Sequence, residues 1–329
     1  MSQRPHEVIW TLTNAVVPSS CLHLVAELGV ADHIGDQPVG PEELASRCHV
    51  DADALDRVLR LLAAHGIFSE HRGGGYGHTE PSRLLRSDHP MSMRALARMM
   101  GLPVFSATFA RLDHSVRTGS PALEQVAPEG LWPYLQSHPR EAEIFGQAMT
   151  AKAVADIAAV LDGYDFSRFA TIADIGGGRG HLLAAVLDAV PTAEGTLFDL
   201  PDVIDTLDIG SQRLAARAGD FFVDPLPTAD AYILMEVIHD WPDAESVAIL
   251  SAIRRAAPPG ATVLIIEDVL DEEQVDARAR TLDAVMLAVT GGRERSPGQL
   301  AKLLDTAGFR LSTVVETSGA MRIVEATGV

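Results

Sequence analysis

The sequence predicts an α/β protein, a doubly wound and mostly parallel sheet preceded by a smaller, mostly helical module with a winged-helix pattern. Three observations carry this. From residue 171 onward strand-like and helix-like segments alternate, as they do when helical crossovers join parallel strands. The first of those strands runs into a glycine turn that opens a helix, DIGGGRGH at 174–181. Residues 40–79 read as helix, helix and short hairpin.

Each element has a local cause. Residues 7–29 (EVIWTLTNAVVPSSCLHLVAELG) are helical in pattern, and Pro18 is expected to kink or divide them. Gly40-Pro41-Glu42-Glu43 starts a helix with proline at an early position. Asp51–His65 forms another, opening with acids and closing at Gly66. Ile67–Glu70, the glycines at 73–75 and Tyr76–Thr79 make the hairpin. Residues 91–160 are mainly helical and are expected to link the modules and roof the cofactor domain. The expected divisions are therefore 1–95, 96–160 and 161–329. Strands are predicted at Thr171–Ile175, Glu194–Asp199, Ala231–Val237 and Ala261–Glu267, with a C-terminal group near Phe309–Val315 and Met321–Glu325.

Bulk properties narrow the function. A chain of 329 residues with 47% hydrophobic content has room for two domains and a sizeable core. Its formal net charge of −19 repels phosphate backbones and anionic membrane surfaces, which argues against both as partners. A winged helix raises DNA binding, which calls for a basic second helix. Here Arg57 and Arg60 share that helix with Asp51, Asp53 and Asp56, so the module reads as a dimer interface instead, with Ile9, Trp10, Val16, Val17, Leu22, Leu24 and Val25 expected to pack against a second chain. Cys21 and Cys48 form no C-x-x-C or disulfide framework. With no signal-peptide pattern and no run of eighteen apolar residues, the expected location is the cytoplasm.

The glycine turn selects a cofactor. A dinucleotide site of the form G-x-G-x-x-G needs glycine at 176, 178 and 181, but position 181 is His. The spacing is instead G-x-G-x-G, at Gly176, Gly178 and Gly180, with Asp174 at the strand end before it. A helix N-terminus favours a pyrophosphate, and a carboxylate beside it works against one. The acid suits a cofactor with an ammonium, a sulfonium and no phosphate, which is S-adenosylmethionine (SAM). Asp199 ends the next strand about twenty residues on, where an acid binds ribose hydroxyls. The alternative for Asp199 is a turn cap before Pro201.

Chemistry is expected at the end of the Ala231–Val237 strand, on the sheet edge that carries the ligand. There His239 begins HDWPD, and histidine is the side chain best suited to take a proton near neutrality. The alternative is that His239 and Asp240 only cap the following helix. Two acids favour chemistry. Glu267 ends the next strand, and Glu294 lies in GGRER at 291–295, read as a flexible loop. A carboxylate beside imidazole fixes its tautomer and stabilises its cation. Read without a ligand, Glu267 is a solvated strand end and Glu294 a salt bridge to an arginine.

Taken together, DIGGGRGH (174–181), FDLP (198–201), GDFF (219–222), HDWPD (239–243), IIED (265–268) and GGRER (291–295) resemble the SAM-dependent small-molecule O-methyltransferases of plant phenolic and bacterial antibiotic pathways. The resemblance covers nearly the whole chain. It implies a Rossmann-like methyltransferase domain behind a winged-helix dimerisation domain, a homodimer, and a small aromatic acceptor. By motif, His239 matches the general base and Glu267 and Glu294 its flanking acids. Asp174, Gly176, Gly178, Asp199, Leu200, Asp220, Phe221 and Trp241 match cofactor-binding positions. Met149, Asp240, Met286 and Thr290 match positions bordering the acceptor. Glu236 departs from the pattern, since many relatives carry Lys or Arg there to meet the cofactor carboxylate. No metal is expected, because a sulfonium is already an activated donor. The rivals are a metal-dependent catechol-type methyltransferase, for which the acid-rich 268–276 run reads only as a solvated loop, and a SAM-binding relative that decarboxylates or hydroxylates.

Overall fold

The computed structural model describes residues 4–208, 211–270 and 276–329. The chain forms two compact units. One comprises residues up to Ser106 together with Pro139–Lys152, and the other Ala107–His138 together with Ala153–Val329.

The first unit holds helices α1 (Pro5–Asn14), α2 (Val16–Leu28), α3 (Pro41–Cys48) and α4 (Ala52–Ala64). The antiparallel strands β1 (Phe68–His71) and β2 (Gly75–His78) follow, then α5 (Glu80–Arg83) and α6 (Arg94–Met100). Asp51 caps α4 by accepting the Ala54 N–H at 2.9 Å. Leu55, Leu59 and Leu62 fall on one face of that helix and meet Leu44, Phe68 and Tyr76 in the module's core.

Residues 7–29 divide as expected: α1 ends at Asn14, whose carbonyl Pro18 cannot bond for want of an N–H, and α2 restarts beyond Ala15. The expected dimer face needs correction: Val25 is 1% exposed and Leu22 packs against the same core cluster, so both serve the module's own core. The uncovered apolar surface is Val8, Ile9, Trp10, Leu12, Val16, Val17 and Leu24, and α1 has no buried residue at all. Pro5–Leu28 is also long and apolar enough, by length and composition, to cross a membrane.

Helices α7 (Pro103–Phe109), α8 (Leu112–Thr118), α9 (Leu131–Ser137) and α10 (Pro139–Gly163) come next, and the unit boundaries fall inside α7, between α9 and α10, and inside α10. The second unit then alternates through β3 (Thr171–Ile175), α11 (His181–Ala189), β4 (Glu194–Asp199), α12 (Pro201–Ile204) and β5 (Leu214–Ala218). It continues with β6 (Ala231–Met235), α13 (Asp243–Ala256), β7 (Thr262–Glu267), α14 (Ala277–Val289), α15 (Pro297–Thr306), β8 (Phe309–Glu316) and β9 (Arg322–Gly328).

The strand order is β5-β4-β3-β6-β7-β9-β8. All pairs from β5 to β7 are parallel, and β9 runs antiparallel to both β7 and β8. Alternate residues of the central strands fill separate cores on the two faces. Ala173, Ile175, Tyr232, Leu234 and Ile265 meet residues of α13 and α15, whereas Ile172, Ile233, Leu264 and Ile266 meet those of α11. The chain winds from β3 outward to β5, then returns to β6 on the other side of β3. The carboxyl ends of β3 and β6 therefore flank a topological switch point, where open α/β sheets bind ligands.

Strand β5 was not among the predicted strands. Its residues, LAARA, are mostly exposed and include no β-branched or aromatic side chain. Strand β6 stops at Met235, two residues before the predicted end, because Glu236 takes a left-handed conformation with φ of 54°.

Candidate active site

The carboxyl edge of the sheet gathers the predicted cofactor residues. Asp174, the penultimate residue of β3, is 1% exposed, and its Oδ1 has no hydrogen-bond partner among the described residues. Burial, reinforced by the charge of Asp199, pushes its carboxyl up to about 7. The following turn leaves no room for a side chain at Gly177. A Cβ on Gly177 would lie 2.4 Å from the Asp174 carboxyl carbon and 2.6 Å from Leu197. Gly178, at φ of 58°, donates its N–H to Asp199 Oδ2 at 2.7 Å, and Leu200 donates to Asp199 Oδ1 at 2.7 Å. Burial raises the Asp199 carboxyl, and those two backbone donors partly offset it.

Beyond β5, Asp220 Oδ1 accepts the Phe222 N–H at 2.8 Å and shapes the GDFF turn. The Phe221 ring stands 3.7 Å from a Cβ built on Gly176 and meets Trp241 edge-on, with centroids 5.8 Å apart. Phe222 also stands edge-on to Trp241, and Trp132 of α9 stacks on it at 6.4 Å. Trp132 was not singled out from the sequence.

The second group lies beyond β6 and β7. His239 is 3% exposed. Its Nδ1 is 2.7 Å from Glu294 Oε1, and its backbone N–H donates to Glu267 Oε1 at 3.0 Å. With Nδ1–H donating to the carboxylate, Nε2 is the open ring nitrogen, 3.8 Å from Asp240 Oδ1. Burial disfavours the imidazolium, but the Glu294 hydrogen bond and the charges of Asp240, Glu267 and Glu294 outweigh it and push His239 up to about 10. Glu267 is pushed up to about 7, by burial first and by the charge of Glu294, against the pull of His239 and Arg295. Glu294 Oε2 has no hydrogen-bond partner among the described residues.

Sequence reading treats 291–295 as a flexible loop and Glu267 without a ligand as a solvated strand end. Neither holds. Glu267 is 2% exposed, and Glu294 and Arg295 are each 1% exposed. The Glu294 N–H donates to Asp283 Oδ1 on α14 at 3.0 Å, and the Arg293 N–H donates to the His239 carbonyl at 2.8 Å. Asp283 and Arg295 were both missed; only the charge of the second arginine in GGRER hinted at a role. Of the residues that the motifs match to acceptor positions, Met286 is buried, and Thr290 Oγ1 donates to the Met286 carbonyl at 3.2 Å while accepting the Gly292 N–H at 3.3 Å. Met149 lies half-buried on α10 in the other unit. In the 268–276 run, Asp268 is not solvated; it is 2% exposed and paired with Arg278 at 3.4 Å. Residues 271–275 of that run lie outside the described residues. No group of three or more His, Cys, Asp or Glu among the described residues is placed to hold a metal ion.

Comparison with known proteins fixes the family. The O-methyltransferase domain matches residues 109–310, and the O-methyltransferase dimerisation domain matches residues 10–88. The chain belongs to the O-methyltransferase family.

Among relatives of this methyltransferase, the phenazine O-methyltransferase PhzM of Lysobacter antibioticus is 39% identical over 93% of this chain and 91% of its own length. The 8-amino-8-demethylriboflavin N,N-dimethyltransferase of Streptomyces davaonensis is 36% identical over 93% of this chain and 91% of its own. A solved O-methyltransferase of neocarzinostatin biosynthesis, in complex with SAM and 2-hydroxy-5-methyl naphthoic acid, superposes with a TM-score of 0.81 at 34% identity. That match covers 95% of this chain and 96% of the other. The enzyme is SAM-dependent, and its own residues fit the cofactor. Asp174 keeps a buried oxygen open for a cationic donor, a cradle without side chains lies beside it, and aromatic rings gather at Gly176.

An ammonium is attracted to the ionised form of Asp174 alone. SAM affinity measured by calorimetry is therefore expected to fall as pH drops below 7, by roughly tenfold per unit if the whole interaction follows the carboxylate. Asp174→Asn should bind more weakly at pH 8 and lose this slope. A flat profile in the parent enzyme would remove Asp174 from the cofactor's charge recognition.

Proposed function

We propose that this enzyme transfers the methyl group of SAM to a hydroxyl, phenolic in character, of a small aromatic or polyketide-type natural product, with His239 accepting the proton. The observation that carries this is the 2.7 Å Nδ1–Glu294 hydrogen bond, which leaves Nε2 as the basic nitrogen at the ligand-bearing edge. When bound, SAM supplies a methyl group already activated by a sulfonium. The protein's share is to orient the acceptor oxygen and remove its proton.

A phenol has a pKa near 10 and is barely ionised at neutral pH. An imidazole raised to about 10 by surrounding carboxylates is closely matched to it, so the proton moves between them at little cost. The same rise means that the empty site holds an imidazolium at neutral pH. Phenolate with imidazolium and phenol with imidazole contain the same number of protons, so either description requires one proton to leave as the acceptor binds. Activity should then increase with pH toward the His239 pKa. Glu294 fixes the tautomer, Glu267 anchors the backbone of the turn, and Asp240, Met286 and Thr290 border the acceptor. Transfer to an aromatic amine is the second reading, favoured by the dimethyltransferase relative that acts on an amino-flavin; the same nitrogen would take an amine proton. The sequence-derived divisions near residues 95 and 160, and a cytoplasmic location, belong to this reading.

For assembly, we propose an isologous homodimer. A helix with no buried residue and a row of exposed apolar side chains is unstable in water without a cover, and a second copy of a dimerisation domain supplies one. The interface is expected to bury on the order of 2,000 Å² or more, as obligate pairs do.

His239→Ala should lower kcat by ~10²–10⁴-fold on a phenolic acceptor and abolish the rising pH limb, with SAM affinity nearly unchanged. Turnover close to that of the parent enzyme would refute the assignment. Trp10→Asp should convert the dimer to a monomer in light scattering at micromolar concentration. A variant that remains dimeric would place the interface elsewhere.

A further inference from the structure

Arg295 heads the fully buried side chains of this fold by size, at 1% exposure. A guanidinium keeps its charge and brings five N–H donors in a rigid plane, so burying one is costly unless its partners are well placed. Here the partners all belong to one turn. Nη1 donates to the Ile238 carbonyl at 3.0 Å, and Nη2 donates to the Trp241 carbonyl at 2.7 Å. Nε and Nη2 both reach Asp243 Oδ1, at 3.1 and 2.8 Å. One bonded carbonyl immediately precedes His239, and the other follows it by two residues. The backbone around Arg295 holds the same turn from the other side. A Cβ on Gly292 would fall 1.9 Å from the His239 carbonyl oxygen, and the Leu270 N–H ties the Arg295 carbonyl to the end of β7 at 3.0 Å.

We propose that Arg295 is a positioning residue for His239, its planar fork fixing the 238–241 turn so that Nε2 stays aimed at the acceptor while Nδ1 stays on Glu294. This rests on the reading of His239 as proton acceptor. Neither contact with SAM nor contact with the acceptor is required of Arg295. Lysine would conserve the charge but, with one ammonium, cannot hold two carbonyls and a carboxylate in a plane. Asp243, whose side chain is 64% exposed, anchors the fork from outside.

The test combines kinetics with a spectroscopic readout in the full-length enzyme. Arg295→Lys should lower kcat by roughly tenfold, the scale of a lost bidentate charged contact, with acceptor KM and SAM affinity changed by less than about threefold. Asp243→Asn should act in the same direction with a smaller effect. The low-field proton signal of the His239–Glu294 hydrogen bond should be absent in His239→Ala and shifted or broadened in both the Arg295 and Asp243 variants. In a His239→Ala background, Arg295→Lys should cost nothing further, because a residue that acts through another is non-additive with it. Parental kcat and an unmoved signal in Arg295→Lys and Asp243→Asn, with His239→Ala inactive, would overturn the proposal and leave the His239 reading standing. An equal loss in the His239→Ala background would overturn it too. Full activity of His239→Ala would instead sink the underlying reading. If Arg295→Lys does not fold, Asp243→Asn decides by the same criteria.

Discussion

The hydrogen bond between His239 Nδ1 and Glu294 Oε1 joins two segments 55 residues apart inside a site from which water is nearly excluded. An imidazole and a carboxylate at 2.7 Å stabilise each other only if neither is drawn back into solvent, so the surroundings must hold both rigidly. The rest of the second unit can be understood from this requirement. Glu267 at the end of β7 holds the His239 N–H, and Asp283 on α14 holds the Glu294 N–H. Arg295 supplies a positive charge among buried carboxylates and lowers the cost of keeping Glu267 ionised. The close approach of Gly292 to the His239 carbonyl lets the two segments meet at backbone distance.

Parallel topology brings the proposed proton acceptor to the same sheet edge as the glycine turn. Strands β3, β4, β6 and β7 all end on one edge, so Asp174, Asp199, His239 and Glu267 arrive there from four separate parts of the chain. The winding reverses between β3 and β6, and the helices that follow those two strands, α11 and α13, pack on opposite faces of the sheet, the arrangement that opens a ligand crevice in α/β sheets. The edge is strongly anionic, which favours a cofactor bearing cationic centres. Burial raises the carboxyls of Asp174, Asp199 and Glu267, with a neighbouring carboxylate adding to the rise at Asp174 and at Glu267, whereas at His239 the carboxylates raise the imidazole against burial. On the reading proposed above, carboxylates at one edge serve both cofactor choice and proton chemistry.

Much of this was readable because strand ends in a parallel sheet are marked by local chemistry. Thr171–Ile175 and Glu194–Asp199 are apolar runs terminated by an acid or a glycine, and the structure places strands on those same residues. Other features depend on contacts that no local window contains. Strand β5 owes its conformation to pairing with β4, since LAARA alone favours helix. The inward turn of Val25 depends on which face of α2 meets the module core, a choice that apolar residues on both faces leave open. Arg295 is the clearest case. The second arginine of GGRER looks like a solvent-exposed loop residue, and only the tertiary fold reveals three backbone and side-chain partners around it.

The claim that His239 takes the proton of the acceptor hydroxyl is tested most directly by a crystal structure of the enzyme with demethylated cofactor and a turned-over phenolic acceptor. The account predicts the acceptor oxygen within about 2.6–3.2 Å of His239 Nε2, with Nδ1 still on Glu294. An acceptor oxygen held by another group, with His239 Nε2 out of hydrogen-bond reach, would contradict it.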